Sequence, residues 1–371
     1  MNTEISKSVR QYDASLPLES AATIPALWYT DPEIAHREQH DIFARGWQYV
    51  GRVAQLQEPG DFITESICGH PVLVTRNAKG ALQAFSNVCR HRAARVECRQ
   101  HGKAKRFRCR YHGWAYDLNG RLCGTPDFEG VKNFVKEENP LPQFHVATWE
   151  PFVFVNMSDQ PESFEQFTAP LETYRDAMSM DSLQFHSRIE WELRCNWKVF
   201  IDNYQDGGYH INTLHPGLAR VVDMNTYDTE LFDRASLQLS PLREAAGNDA
   251  ANLNSVRSGS AAYYWWYYPN LMINVYDKVM DVNIVQPIDA NRCRVIFDFF
   301  FDPTVMKNDV QFVAESLKVS QQVQDEDIEI CEEVQRNLAT GSFHTGRFSV
   351  RREAGAHLFH NLVAKSLQRS M

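Results

Sequence analysis

Long apolar runs are missing from this sequence: nothing in its 371 residues approaches the 18 or so consecutive apolar residues of a membrane helix. The opening stretch, MNTEISKSVRQYDASLPLES, has no apolar core of the kind a secretory signal carries, so no signal peptide is expected. No Gly-x-Gly-x-x-Gly fingerprint occurs, which argues against a nucleotide- or flavin-binding half. Positive charge is in deficit. With 38 Lys and Arg against 47 Asp and Glu, the net charge of −9 speaks against nucleic acid or an anionic membrane as partner and mildly suits a cationic substrate. Cysteine is thin for the length: eight residues, at positions 68, 89, 98, 109, 123, 195, 293 and 331, do not make a dense disulfide framework. Free, partly buried thiols in a reducing cytoplasm are expected, Cys98 and Cys123 among them. No repeat or low-complexity segment breaks the chain. What is present, 43% hydrophobic and 23% charged residues, is the composition of a globular protein of two or three domains.

Local patterns predict an α+β protein. Residues 1–20 read as a loose polar arm, followed by a helix over about 33–44 that Thr30 or Asp31 caps and Pro32 opens. From about residue 45 to 156 the pattern is short strands and turns, with a strong hairpin signal at Asn119-Gly120, which predicts a small antiparallel β domain. Residues 157–371 predict a second domain, an antiparallel sheet with covering helices. Its expected parts are a helix near 163–178, a helix from Trp197 to Tyr204, strands at 263–268, 279–286 and 293–301, a long helix over 304–338 and a last one over 356–368. Residues 217–258 read as irregular insertions, and residues 1–44 as an arm and helix packing on the second domain.

Within the β domain, Cys89-x-His91 and Cys109-x-x-His112 stand seventeen residues apart. Structural zinc sites also take two Cys and two His, but usually as Cys–Cys and His–His pairs. Here each pair mixes one Cys with one His, as two loops would if each reached both irons of a Rieske [2Fe–2S] centre. Such a centre moves one electron at a time, which raises the question of its acceptor.

A second group lies in the other domain. His210 and His215 are five apart, and on a regular helix they would diverge by about 140°. An irregular turn, which Asn212 and Pro216 favour, would bring both rings to one ion. A structural His pair is the plainer reading; a neighbouring one-electron donor centre favours the metal. Two His and a carboxylate form the facial triad that holds mononuclear Fe(II) in non-haem oxygenases. The stretch from Gln324 to Glu333 offers six acids, and spacing does not choose among them.

The chain resembles the α-subunits of Rieske-type non-haem iron oxygenases over about residues 25–365. The likeness rests on Cys89/His91/Cys109/His112, on Asn196-Trp197-Lys198 leading to Asp202-Asn203-Tyr204, and on His210/His215. Asp206-Gly207-Gly208-Tyr209-His210, Asn225-Thr226-Tyr227-Asp228-Thr229 and Glu332-Glu333-Val334-Gln335 look like the choline monooxygenase and quaternary-amine branch. The resemblance implies a catalytic domain of helix-grip type, Asp327 as the carboxylate ligand, and electrons supplied by a separate NAD(P)H-dependent reductase or ferredoxin. It further implies that Asp206 bridges a Rieske His of one protomer, His112 being favoured, and an iron-ligating His of the next, hence a homotrimer. Asp206 as a simple helix-end cap is the plainer alternative. The family's second loop reads Cys-Pro-Tyr-His-Gly-Trp; Arg110 stands here in the Pro position and adds a cation. With Arg90, Arg92, Arg106 and Arg108 it makes a basic edge, suited to an acidic electron donor or simply solvated.

Six consecutive aromatics, Tyr263 to Tyr268, predict a strand with one trio facing a pocket. Tyr263, Trp265 and Tyr267 are the candidate pocket trio, able to hold a quaternary ammonium by cation–π attraction worth about 0.5–2 kcal/mol per contact. The expected function is a terminal oxygenase that uses O2 to hydroxylate or N-demethylate a small quaternary ammonium compound. An aromatic ring or aromatic acid would suit the same walls. A Rieske electron carrier without catalysis is the third reading, against which the second domain argues.

Overall fold

The computed structural model describes residues 3–220, 222–242 and 261–369. Part of the stretch expected at 217–258 to be irregular insertions lies outside the described residues; within the rest, Asp228–Leu231 and Ala235–Pro241 are paired strands, not irregular. The chain divides into two compact units: Phe43–Thr168, and a discontinuous unit of Met1–Ile42 with Ala169–Met371. Together they make an α+β protein.

The unit Phe43–Thr168 is built on an antiparallel sheet of seven strands. Their order is Gln48–Arg52, Phe152–Asn156, Gln143–Trp149, Leu82–Ser86, His70–Arg76, Asp61–Ile67 and His101–Lys103. A second, three-stranded sheet of Phe107–Arg108, Ala115–Tyr116 and Leu122–Gly124 carries the hairpin that Asn119-Gly120 signalled, with Gly120 at a φ of 74°. The unit runs past Asn156 because Phe164 and Phe167 pack on Phe154, tilted and edge-on, with ring centroids 5.4 and 5.6 Å away.

The discontinuous unit is organised by another seven-stranded antiparallel sheet. Its order is Gln184–Leu193, Arg292–Phe301, Val279–Asp289, Leu271–Val275, Ala261–Tyr267, Ala235–Pro241 and Asp228–Leu231. After the first strand, neighbours run in reverse chain order, consecutive strands pairing side by side. Helices Trp197–Tyr204, Val310–Leu338 and Ala354–Gln368 belong to the same unit. Among the described residues no helix is long and apolar enough to cross a membrane.

Several local expectations need correction. The supposed loose arm contains a helix, Thr3–Gln11, because Ile5 and Val9, one turn apart, are both buried. The backbone carbonyls of Val9 and Tyr12 receive the Gln368 side-chain amide at 2.9 Å each. The helix that Asp31 caps runs over Pro32–Glu38 and ends in a π turn over Gln39–Phe43. The long helix begins at Val310, since Asp309 leaves helical geometry and caps it through Phe312 N–H; Pro303–Asn308 is a separate helix. Cys98 and Cys123 are free and exposed, not partly buried.

The Asn196-Trp197-Lys198 motif has a structural reason. Asn196 caps the helix Trp197–Tyr204, accepting the Lys198 backbone N–H at 3.1 Å. Lys198 and Glu38 form a fully buried ion pair at 2.6 Å, and Trp197 Nε1 donates to the other Glu38 oxygen at 2.7 Å. Burial raises the Glu38 carboxyl and lowers the Lys198 ammonium, each opposed by the attraction of its partner. This pair fastens the segment around Glu38 to the helix that leads into the second metal site.

Candidate metal centres

The first centre is two turns of the same backbone design. Cys89 N–H donates to Ala94 O and Ala93 N–H returns to Cys89 O, at 2.8 and 3.0 Å. Cys109 N–H donates to Trp114 O and Gly113 N–H returns to Cys109 O, again at 2.8 and 3.0 Å. Each turn therefore needs a left-handed residue four places after its Cys: Ala93 at a φ of 57° and Gly113 at 73°. Both thiols are buried in a core shared with Phe62, Phe85, Phe107 and Trp114. The Tyr116 hydroxyl lies 3.5 Å from Cys89 Sγ and accepts Arg90 N–H at 3.0 Å. Burial, and then the Cys89 thiol, hold that hydroxyl well above its ordinary titration range, so it stays a donor to sulfur.

The two imidazoles meet with ring centroids 4.6 Å apart. His91 stacks on Trp114 at 4.8 Å and 8°, and its Nδ1 is buried with no hydrogen-bond partner. A buried ring nitrogen left bare is costly unless it ligates a metal. Two buried thiols and two adjacent imidazoles fit a [2Fe–2S] cluster. His112 and its neighbour Tyr111 are exposed, as are Arg90, Arg92, Arg106, Arg108 and Arg110.

The second centre is assembled from distant segments. The helix Trp197–Tyr204 ends at Gln205, and Asp206–Tyr209 forms a turn with Gly207 and Gly208 at φ of 66° and 70°. A Cβ on Gly207 would collide with the backbone carbonyl of Arg352, so the turn is shaped against the start of the last helix. A one-turn helix, Ile211–Leu214, follows, with His210 before it and His215 after it. That break is how two His five apart come together, their centroids 4.9 Å apart. His210, His215 and Asp327 each offer a donor atom, all within 4.8 Å of one another.

Carboxylates fix both rings. Asp206 Oδ2 lies 2.6 Å from His210 Nδ1, and Glu326 Oε2 lies 2.5 Å from His215 Nδ1. An ionised carboxylate only accepts, so each Nδ1 carries the proton and each Nε2 is left as the donor atom for a metal. His215 Nε2 lies 3.1 Å from Asp327 Oδ1, and Asn203 Nδ2 donates to that same oxygen at 2.7 Å. Burial pulls the His215 imidazole down, but Asp327 and Glu326 outweigh it and raise it. Asp206 also accepts the Tyr209 and His210 backbone N–H groups at 3.0 Å each, so within the chain it caps the turn and orients the ring together. Two imidazole nitrogens and a carboxylate oxygen in this arrangement fit a mononuclear iron.

From sequence Glu326 stands only as one of six candidate acids and Asn203 only as part of the Asp202-Asn203-Tyr204 motif, with no role at the second centre assigned to either. The signal for Glu326 was its place beside Asp327: neighbours on a helix project about 100° apart, and these two straddle the His215 ring.

A cavity of about 120 Å³ opens beside this centre, with His210, His215 and Asp327 in its wall. Tyr263, Trp265 and Tyr267 do not line it; Tyr264 does. The strand Ala261–Tyr267 turns its odd-numbered aromatics the other way. Trp265 donates to Met178 Sδ at 3.1 Å, and both Tyr263 and Trp265 pack on Tyr174. A run aromatic at every position gives no hint of which parity faces the cavity.

An antiparallel β unit with two Cys/His turns, and a helix-covered sheet with a His–His–carboxylate group, are the parts of a two-centre iron oxygenase. Comparison with known proteins agrees. Residues 46–135 match the Rieske [2Fe-2S] domain, and residues 180–369 match the ring hydroxylating alpha subunit (catalytic domain). Choline monooxygenase, chloroplastic, of Arabidopsis thaliana is 37% identical, covering 99% of this chain and 88% of its own length. The carnitine monooxygenase oxygenase subunit of Acinetobacter pittii is 29% identical, covering 93% and 95%. Among solved structures, the quaternary ammonium Rieske monooxygenase CntA with an inhibitor bound superposes at a TM-score of 0.84. Its sequence is 28% identical, over 95% of this chain and 99% of that one. The chain belongs to the Rieske-type ring-hydroxylating oxygenase α-subunits. It is an oxidoreductase that incorporates oxygen from O2, with a Rieske [2Fe–2S] cluster and mononuclear iron as cofactors, and it stands close to the quaternary-amine oxygenases.

Proposed function

We propose that this chain is the terminal oxygenase component of a monooxygenase acting on a small quaternary ammonium compound. Cys89, His91, Cys109 and His112 hold the cluster; His210, His215 and Asp327 hold the iron. When bound, the cluster supplies electrons singly and the iron activates dioxygen. The observation that carries the substrate reading is the cavity beside the second centre. Its walls include Tyr204, Tyr227, Tyr264, Tyr276 and Phe297, with Asp281 buried among them and no Lys or Arg among the described lining residues. Aromatic faces attract an onium group, by about 0.5–2 kcal/mol each, and a buried carboxylate offsets its charge. An aromatic acid would bring a second negative charge with no base to meet it, which disfavours that alternative.

The chain's own residues do the positioning. Asp206 and Glu326 hold protons on the Nδ1 atoms, Asn203 steadies Asp327, and the tyrosines hold the substrate beside the iron site. In this reading Asp206 also contacts His112 of a neighbouring copy in a homotrimer. The five exposed arginines around the cluster turns form the docking edge for an acidic NAD(P)H-dependent reductase or ferredoxin.

The test is O2 consumption with product analysis, supplying choline, L-carnitine, betaines and aromatic acids in turn to the enzyme and a reductase. Coupled turnover of an ammonium compound is expected. In His210→Ala, turnover should fall by more than about 100-fold, beyond the range for groups outside the ligand shell, while the cluster's visible absorption persists. Product from an aromatic acid alone would overturn the substrate reading. Full turnover and full mononuclear iron in His210→Ala would overturn the site.

A further inference from the structure

The cavity beside the second centre holds two buried polar atoms that have no partner among the described residues: Asn283 Oδ1 and Gln324 Nε2. Both side chains are 2% exposed and both line the cavity. The Asn283 amide cannot simply be turned over. Its Nδ2 donates to Asp281 Oδ2 at 2.9 Å, and the same oxygen receives Asn274 Nδ2 at 2.7 Å. A carboxylate only accepts, so the nitrogen must face Asp281 and the bare oxygen faces away from it. Gln324 sits three residues before Asp327 on the helix Val310–Leu338, about one turn from the iron site. The cavity thus lacks one donor, for Asn283 Oδ1, and one partner for the Gln324 amide, an acceptor where its bare Nε2 faces the cavity. A hydroxyl is the small neutral group that is both. A carboxylate supplies acceptors only, and it would join the buried Asp281 in a cavity whose described lining has no Lys or Arg.

We propose that Asp281, Asn283 and Gln324 make this cavity selective for a quaternary ammonium compound that carries a hydroxyl group and no carboxylate. This rests on the quaternary ammonium reading above and narrows it. Asp281 sets the charge rule, while Asn283 and Gln324 read the hydroxyl.

Four ligands separate the two features. Choline has the hydroxyl only, L-carnitine has both groups, γ-butyrobetaine has the carboxylate only, and trimethylpropylammonium has neither. Equilibrium binding to the anaerobic, metal-loaded enzyme by calorimetry should rank choline first. Loss of the hydroxyl should weaken binding about tenfold, the scale of one net hydrogen bond. Addition of the carboxylate should weaken it about a hundredfold, the scale of an unpaired charge entering a site with no base to meet it. Gln324→Leu should bring choline and trimethylpropylammonium to within about threefold of each other. Asp281→Asn should weaken every ligand lacking a carboxylate and shrink the preference for choline over γ-butyrobetaine at least tenfold. The wild-type series is decisive even if a variant does not fold. Carboxylate ligands binding as tightly as choline, or trimethylpropylammonium matching it, would overturn the selectivity and leave the quaternary ammonium reading standing. Failure of all four to bind would overturn both.

Discussion

The two metal centres are made in opposite ways. The cluster site is local: its proposed ligands fall between Cys89 and His112, on two turns that repeat one hydrogen-bond pattern within a single β unit. The second centre is gathered from afar. His210 and His215 come from one segment and Asp327 from another more than a hundred residues on, as the 112-residue separation from His215 to Asp327 shows. Its supports reach further, to Glu38 through Lys198 and to Arg352 through the Gly207 turn. A site built from local turns depends mainly on its own backbone. A site built from distant segments depends on the packing that brings them together, and its iron affinity should respond to changes far from the ligands.

Lys198→Met probes that difference most strongly. It leaves Glu38 buried without its partner, a loss of about 3–5 kcal/mol. Urea unfolding should report the destabilisation, and mononuclear iron should be lost before the cluster's absorption changes. Simultaneous loss of both centres would break the contrast.

A change nearer the metal should act more mildly. Glu326→Ala frees the His215 ring to turn and removes the acceptor that fixes its Nδ1 proton. Iron affinity in chelator competition should fall by about 10–100-fold, with the cluster untouched. Unchanged affinity would mean that packing alone orients the ring.

The smallest effect tests the equivalence of the two cluster turns. Ala93 occupies the left-handed position that Gly113 fills in the second turn. Ala93→Gly should stabilise the cluster unit by up to about 1 kcal/mol, the order of the left-handed penalty for a residue with a side chain. Thermal melting of the cluster-loaded protein checks it, and a lower midpoint would refute the equivalence.

The same contrast explains what the sequence revealed. The proposed cluster ligands stand out in the sequence because their spacing within two loops is itself the geometry. His210 and His215 were legible as a pair, but the acid partner was not, since six acids share one helical stretch and only the tertiary fold selects which one faces the rings. Asp327 came from resemblance, and the structure brings it to the two His while turning Glu326 to His215 Nδ1. The strands around the aromatic run were readable as strands. Their facing was not, because alternation carries no information where both faces are aromatic. The N-terminal helix was hidden by its polar majority, in which Ile5 and Val9 alone mark the buried side.

The chain order of the two units has a consequence for biogenesis. Phe43–Thr168 is one uninterrupted segment, whereas the other unit opens before it and closes after it. During synthesis the cluster fold is complete once its last strand and flanking helix have emerged. The iron site lacks its shape until the segment around Arg352 arrives to buttress the Gly207 turn. At about 5–20 residues per second, that interval is on the order of ten to forty seconds. A ribosome-bound chain would therefore present a finished receptacle for iron–sulfur delivery well before it has anywhere to keep a lone ferrous ion, and the two cofactors would be installed in a fixed sequence.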